Sequence, residues 1–458
     1  MNEHNASQQE NKMGVQPVNR LLISVSVPIM ISMLVQALYN VVDSIFVAQI
    51  SENALNAVSL AFPIQNLMIA VSTGTGVGIN ALLSKSLGEK NTDRANRTAA
   101  NGMFLALCSY AVFAVLGLLF SRQFFTMQTD VPEIVEGGTV YIFICTVFSF
   151  GLFVQIAFER LLQATGRSLY CMIMQSVGAV INIILDPVFI FVFDMGVVGA
   201  AMATVIGQIV AAVLGVWLNE RKNKEITLRF RGFRPDGKII RMIYSVGIPS
   251  IIMASIGSVM TFCMNMILIA FTTTATAVLG VYFKLQSFIF MPVMGLNNGM
   301  VPIVAYNFGA RRPDRMLKTV KYAMLYATAI MILGTVLFQV WPETLFGFFE
   351  ASDHMLEIGV PALRIISIHF ILAGFCIVST SMFQALGHGM MSLVISLVRQ
   401  MVVLLPAAWL LSLSGRLELV WWAFPVSEVV SLIMCAAFLR IVHRQEIKPL
   451  ETDYREED

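Results

Sequence analysis

Long apolar runs separated by short polar stretches dominate the chain, and they set the first expectation. Runs able to cross a bilayer, which takes about 20 residues each, fall at 21–46, 55–84, 98–120, 138–164, 169–193, 196–218, 239–270, 276–306, 318–341, 358–385, 391–413 and 418–441. The pattern predicts twelve spanning helices, spans 1 to 12 in chain order. Several runs are longer than a bilayer needs, which implies tilt, or kinks at prolines such as Pro28, Pro187, Pro249 and Pro292. Composition leads the same way. Of 458 residues, 57% are hydrophobic and only 13% charged, with a mean hydropathy of +0.76, too little polar surface to cover a soluble globule. The expected fold class is an all-α polytopic membrane protein.

The near-neutral net charge of +2 hides an ordered asymmetry. Lys and Arg gather between spans 2 and 3 (Lys85, Lys90, Arg94, Arg97), between spans 6 and 7 (eight residues from Arg221 to Arg241) and between spans 8 and 9 (Arg311, Arg312, Arg315, Lys318, Lys321). The alternate connections carry little beyond Arg122 and Arg416. Basic loops stay cytoplasmic, so both termini are expected inside a bacterial plasma (inner) membrane. The basic linker 221–240 joins two hydrophobic halves and has the charge its side requires, so no nucleic-acid partner is expected. Residues 1–18 and 443–458 read as polar cytoplasmic tails, the first lacking a signal-peptide pattern. All six cysteines lie in membrane segments without metal-ligand spacing and read as packing residues.

Sliding the chain on itself by 221 positions aligns Arg20 with Arg241, Pro28 with Pro249, Gln65 with Gln286, Gly74 with Gly295, Gly78 with Gly299, Gly88 with Gly309, Arg94 with Arg315 and Gly166 with Gly387. Two pseudo-symmetric six-helix bundles follow, an N-lobe (19–220) and a C-lobe (241–442), related by an axis along the membrane normal, with a cleft between them near the midplane. That is the build of an alternating-access transporter.

Asp186 is the most conspicuous chemical feature. It stands with Pro187 in "INIILDPVFIFVF" (181–193), where a mid-membrane carboxylate costs on the order of 2.5–3.5 kcal/mol and so faces a cavity or a partner. Gln175, Asn182 and Asp186 recur at helical spacing, and Pro187 leaves the carbonyl of Ile183 without a donor. Span 1 carries its own polar stripe, Ser32, Gln36, Asn40 and Asp43, with Tyr39 beside it, and span 6 adds Thr204. Counted from the predicted outer ends, Asp43, Asp186 and Thr204 share a plane roughly 10–12 Å deep. Two close carboxylates in low dielectric hold a proton or a small cation, and this oxygen set suits H⁺ or Na⁺. A purely structural acid is the plain alternative for each.

The other half lacks these groups: Asp43, Asn182, Asp186 and Thr204 align with Met264, Val403, Ala407 and Pro425. Spans 8, 11 and 12 instead carry Lys284, Arg399 and Glu428, the last two at depths that fit an internal ion pair. Glu159, near the predicted inner end of span 4 and beside Arg160 and Arg167, fits a local salt bridge, an inner gate or a substrate contact. "STGTGVG" (72–78) lacks the Lys-Ser/Thr and the preceding strand of a phosphate loop, so close helix packing is expected. No cofactor is called for, and with neither a Walker motif nor a nucleophile–base or metal constellation in the sequence, an enzyme is not expected; an ion gradient is the energy source that fits.

From about residue 20 to 442 the chain resembles the bacterial type of the MATE (multidrug and toxic compound extrusion) family. The likeness rests on the repeat, "SVPIMISMLVQALYNVVDSIFVAQI", "LQATG" with "FQALG", "NIILDPVFIF" and "MPVMGLNNGMVPIVAYNFGARRPDR". It implies a cation site at Asp43, Asn182, Asp186 and Thr204, a bend of span 1 at Pro28, and export of organic, often cationic, compounds against inward H⁺ or Na⁺ by a monomer. Relatives with C-lobe sodium sites use acids on spans 7 and 10. Here span 7 offers only Asn265 and span 10 has no acid between Arg364 and Gln384, so the resemblance puts coupling in the N-lobe and leaves the ion open. A flippase for lipid-linked precursors, from the same superfamily, is the alternative, kept alive by Lys284 and Arg399.

Overall fold

The computed structural model describes residues 11–229, 232–349 and 351–457, all-helical among them. The elements are α1 (Lys12–Val15), α2 (Val18–Ile50), α3 (Glu52–Gly88), α4 (Thr92–Thr126), α5 (Pro132–Val147), α6 (Phe150–Ala164), α7 (Ser168–Pro187), α8 (Gly196–Lys222), α9 (Gly237–Ile269), α10 (Thr273–Gly309), α11 (Pro313–Val340), α12 (Pro342–Gly347), α13 (Asp353–Ser367), α14 (Phe370–Leu386), α15 (Gly389–Leu397), α16 (Leu405–Ser412), α17 (Leu417–Trp421), α18 (Ala423–Val442) and α19 (Lys448–Glu457). Ten spans are long and apolar enough alone, and the bent pairs α5/α6 (44°) and α13/α14 (50°) bring the total to twelve. The two breaks, at Phe148–Ser149 and at Ile368–His369, fall within one residue of the repeat register. Hydropathy alone reads through them, although Ser149 and His369 stand at the breaks. At the first, the Ser149 hydroxyl and backbone N–H both donate to the Thr146 carbonyl (2.7 and 3.2 Å), drawing the chain out of its α-helical register.

The repeat extends to turn chemistry. Ser51 and Thr272, 221 residues apart, both cap the next helix through the hydroxyl, which accepts from the N–H of Ala54 (3.0 Å) and of Thr274 (3.2 Å). Lys90 and Arg311 both take a left-handed backbone at φ 55°. Arg94 Nε donates to Ser86 Oγ (2.8 Å), and its counterpart Arg315 Nε donates to Asn307 Oδ1 (3.2 Å). Helices overrun the predicted spans by several residues because such caps sit in the polar loops.

The lobes meet through α3 on α9, α2 on α10 and α3 on α10, and glycines set the distance. A Cβ on Gly74 would stand 2.5 Å from Ile251 Cγ1, and one on Gly78 would stand 2.1 Å from the Ile243 carbonyl oxygen; their repeat partners Gly295 and Gly299 seat Met30 and Ser26 in the same way. Gly88 packs on Tyr306 and Gly309 on Lys85, a crossed pair. The glycines of "STGTGVG" are therefore helix-packing positions. These contacts lie toward the end of the molecule that carries the basic loops.

Two tail expectations are corrected. From Asn11 on, the N-terminal segment is folded between the lobes: Met13 is fully buried, Asn307 Nδ2 and Arg315 Nη2 donate to its carbonyl (3.2 and 3.1 Å), Arg312 Nη1 donates to that of Gly14 (2.7 Å), and Asn11 donates to Glu225. Residues 1–10 lie outside the described set. Burial pushes Glu225 up and Lys12 down from their ordinary values, so both charges are disfavoured there, and the carbonyl bonds and Met13 hold the segment. At the other terminus the helix runs on through a π-helical turn, His443–Ile447, into α19, because Ile447 is buried and His388 Nε2 lies 2.6 Å from Glu446 Oε1.

Candidate functional site

A cavity of about 720 Å³ opens between the lobes and is lined mostly by the N-lobe. Its walls come from α2, α3, α5, α6, α7 and α8, with Met291 and Asn298 from α10. Gln36, Tyr39, Asn40, Asp43, Glu159, Gln175, Asn182 and Thr204 all line it.

The polar cluster is positioned by glycine packing. Gly178 on α7 faces Gly207 on α8 so closely that a Cβ on Gly207 would stand 2.7 Å from the Gly178 carbonyl oxygen and 3.2 Å from Asn182 Cβ. That approach lets Asn182 Nδ2 donate to Thr204 Oγ1 (3.2 Å), with Tyr39 of α2 lying 3.4 Å from the same oxygen. Asp43 of α2 and Asp186 of α7 are neighbours across the packed α2–α7 pair, close enough to interact. Two ionised carboxylates have no hydrogen to share, so a proton or a cation is what would close that contact. Asp186 is fully buried and does not line the cavity itself; it stands behind Asp43, at the point where Pro187 leads into a π-helical turn, Val188–Val192.

The oxygens of this cluster are unspent. Asp43 Oδ1, both carboxyl oxygens of Asp186 and Asn182 Oδ1 are buried without a hydrogen-bond partner, an unfavourable arrangement unless something binds there. With Thr204 and Tyr39, the donors are all hard oxygens, which fit H⁺ or Na⁺ and do not favour a soft metal. Among the described residues no group of three or more His, Cys, Asp or Glu could hold a metal.

Pro28 lies inside α2 below the cluster, and Ser32 Oγ donates to its carbonyl (2.9 Å); Gln36 Nε2 reaches Asn40 Oδ1 at 3.5 Å. Glu159 makes no salt bridge with Arg160 or Arg167; Gln163 bridges it to Arg160 instead. Four candidates stand away from the cavity lining. Arg399 Nη1 lies 3.6 Å from Glu428 Oε2, the internal pair expected, Lys284 sits over the Phe349 ring at 5.9 Å, and Asn265 Oδ1 is buried without a partner. The flippase alternative, which needed Lys284 and Arg399 to face the cleft, draws no support from this arrangement. Sequence reasoning missed Gln65, whose amide donates to Tyr141 Oη (3.1 Å) in the cavity wall, although its conspicuous signal was its recurrence as Gln286. It named Arg160 only as a neighbour of Glu159 near the inner end of span 4, whereas Arg160 is itself buried and lines the cavity.

The MatE family profile matches residues 28–188 and again 249–410, two copies starting 221 residues apart. Multidrug export protein MepA of Staphylococcus haemolyticus is 27% identical over 417 residues, covering 90% of this chain and 91% of the relative. MepA of Staphylococcus aureus is 24% identical over 424 residues, covering 92% and 93%. Among solved structures, one described as MATE in the bent conformation superposes with a TM-score of 0.90 at 24% identity, covering 97% of this chain and 99% of that one. An outward-facing multidrug resistance MATE family transporter matches with a TM-score of 0.89 at 24% identity, over 97% and 99%.

Proposed function

Because this chain belongs to the MATE family, whose members are multi-pass membrane transporters and not enzymes, we propose that it is an antiporter exporting organic, chiefly cationic, compounds in exchange for inward H⁺ or Na⁺. The observation that carries the reading is the neighbouring pair Asp43 and Asp186 with unpartnered buried oxygens beside a cavity large enough for a drug-sized molecule. The basic end is taken as cytoplasmic, and the lobe contacts toward that end support an outward-facing state.

In the cycle we infer, the ion enters from outside and binds between Asp43 and Asp186, with Asn182 and Thr204 supplying neutral oxygens. Neutralising Asp43 withdraws the charge that holds a cationic substrate in the cavity, and α2, weakened at Pro28, shifts as the substrate leaves. The lobes then rock, the ion is released inside and a new substrate loads. Coupling requires only that ion and substrate disfavour each other. Proteoliposomes test it: a cationic dye is followed under a pH gradient or a Na⁺ gradient imposed separately. One gradient is expected to drive export in wild type, Asp186→Asn to abolish it while still binding dye, and Asp43→Asn to abolish it with weakened dye binding. Undiminished gradient-driven export by Asp186→Asn sinks this reading.

A further inference from the structure

The cavity floor carries charges that the ion chemistry leaves unused. On α6, Glu159 and Arg160 are 9% and 7% exposed and both line the cavity. Gln163 keeps them distinct: its Oε1 accepts from Arg160 Nη1 (2.9 Å) and its Nε2 donates to Glu159 Oε1 (3.0 Å). Among the described residues no carboxylate lies within salt-bridge distance of Arg160, and its Nε is buried without a partner. Room for the arginine stem is provided by Gly76 of α3, where a Cβ would stand 2.6 Å from Arg160 Cγ. A guanidinium buried in a membrane span without a carboxylate partner is costly, and in such proteins it marks a substrate path. A purely cationic ligand gains at Glu159 but meets Arg160 one residue away. A carboxylate would find the planar donor fork that suits it.

We propose that Glu159, Arg160 and Gln163 form a subsite for zwitterionic organic substrates, the cationic group against Glu159 and the carboxylate against Arg160. The inference rests on the exporter reading above and adds a specificity to it. A matched probe pair tests it: a cationic rhodamine methyl ester and its free acid, which share one ring system and differ only at the carboxyl. Binding to the purified full-length protein is measured by fluorescence polarisation for wild type, Arg160→Gln and Arg160→Lys. Arg160→Gln is expected to weaken the free acid about thirtyfold and to leave the ester within about twofold, with Arg160→Lys recovering most of the loss. Equal loss for both dyes, or none for the free acid, overturns the proposal. Should Arg160→Gln fail to fold, wild type decides alone: the free acid is expected to bind at least as tightly as the ester, and an ester preference of about tenfold overturns the subsite. Failure of wild type to export the ester under either gradient would strike the exporter reading and leave this binding comparison intact.

Discussion

At the scale of single residues, the site depends on how closely α7 and α8 approach. Gly207→Val would put methyl groups where Gly178 O and Asn182 now lie, parting Asn182 from Thr204 at a cost of about 1–3 kcal/mol. Gradient-driven dye export is expected to fall at least tenfold, with the folded yield on size-exclusion chromatography reduced but not lost. Asn182→Ala leaves the helix contact intact and removes only the side-chain amide, its oxygen and its donor to Thr204 alike, so comparing the two separates the helix approach from the amide's own role. Asp186 was legible in the sequence because a carboxylate in hydrocarbon has few reasons to be there, and Asn182 one turn away named its face. Arg160 was not. Counting residues from a predicted helix end gives depth along one span, whereas the floor of a cavity is set by how several spans diverge.

At the scale of elements, the segment from Asn11 to Gln16 acts as a wedge between the lobes: α1 buries Met13, Arg312 and Arg315 of the C-lobe hold its carbonyls, and Asn11 reaches Glu225 on the other side. Arg315→Ala removes donors to the carbonyls of Met13 and Gln16 and is expected to loosen this end. Labelling of a cysteine introduced at Ile303, fully buried in α10, should then speed up roughly 5- to 30-fold, the effect of 1–2 kcal/mol. An unchanged labelling rate would mean that the segment merely rests on the lobes. Composition hid this element, since Met13 and Val15 are few among polar neighbours and their partners lie some 300 residues away. The breaks in spans 4 and 10 were hidden for another reason: Ser149 and His369 stand at them, but isolated polar residues in a long apolar run do not lower its hydropathy enough to divide it. The helix starts at Ser51 and Thr272 lie before the apolar runs, which begin at 55 and 276, because the capping hydroxyls belong to the polar residues ahead of each run.

At the scale of the whole molecule, the repeat was the most legible feature: the apolar runs predicted twelve spans, and the repeat divided them into two bundles with a cleft. What the symmetry alone does not predict is a cavity that belongs mainly to one lobe: the aligned positions in the C-lobe are apolar or, like Arg399 and Glu428, drawn into an ion pair with each other. Rocking about the α3–α10 crossing is the motion this design implies. Cysteines at Glu89 and Ala310, joined by a short bifunctional thiol reagent, are expected to stop export while dye still binds the cavity, and a thiol-cleavable reagent should restore transport on reduction. Export by the linked protein would place the moving contact elsewhere.

The crossed contact, Gly88 on Tyr306 and Gly309 on Lys85, has a consequence in descent. A surface that meets its own repeat partner about a twofold axis is the kind that two identical chains make, so an ancestor of six helices could pair with itself before any linker existed. In such a pair every acid appears twice. Only after both halves became one chain could one keep Asp43 and Asp186 while the other drifted to Met264 and Ala407, and the basic linker is the scar of the event that allowed it.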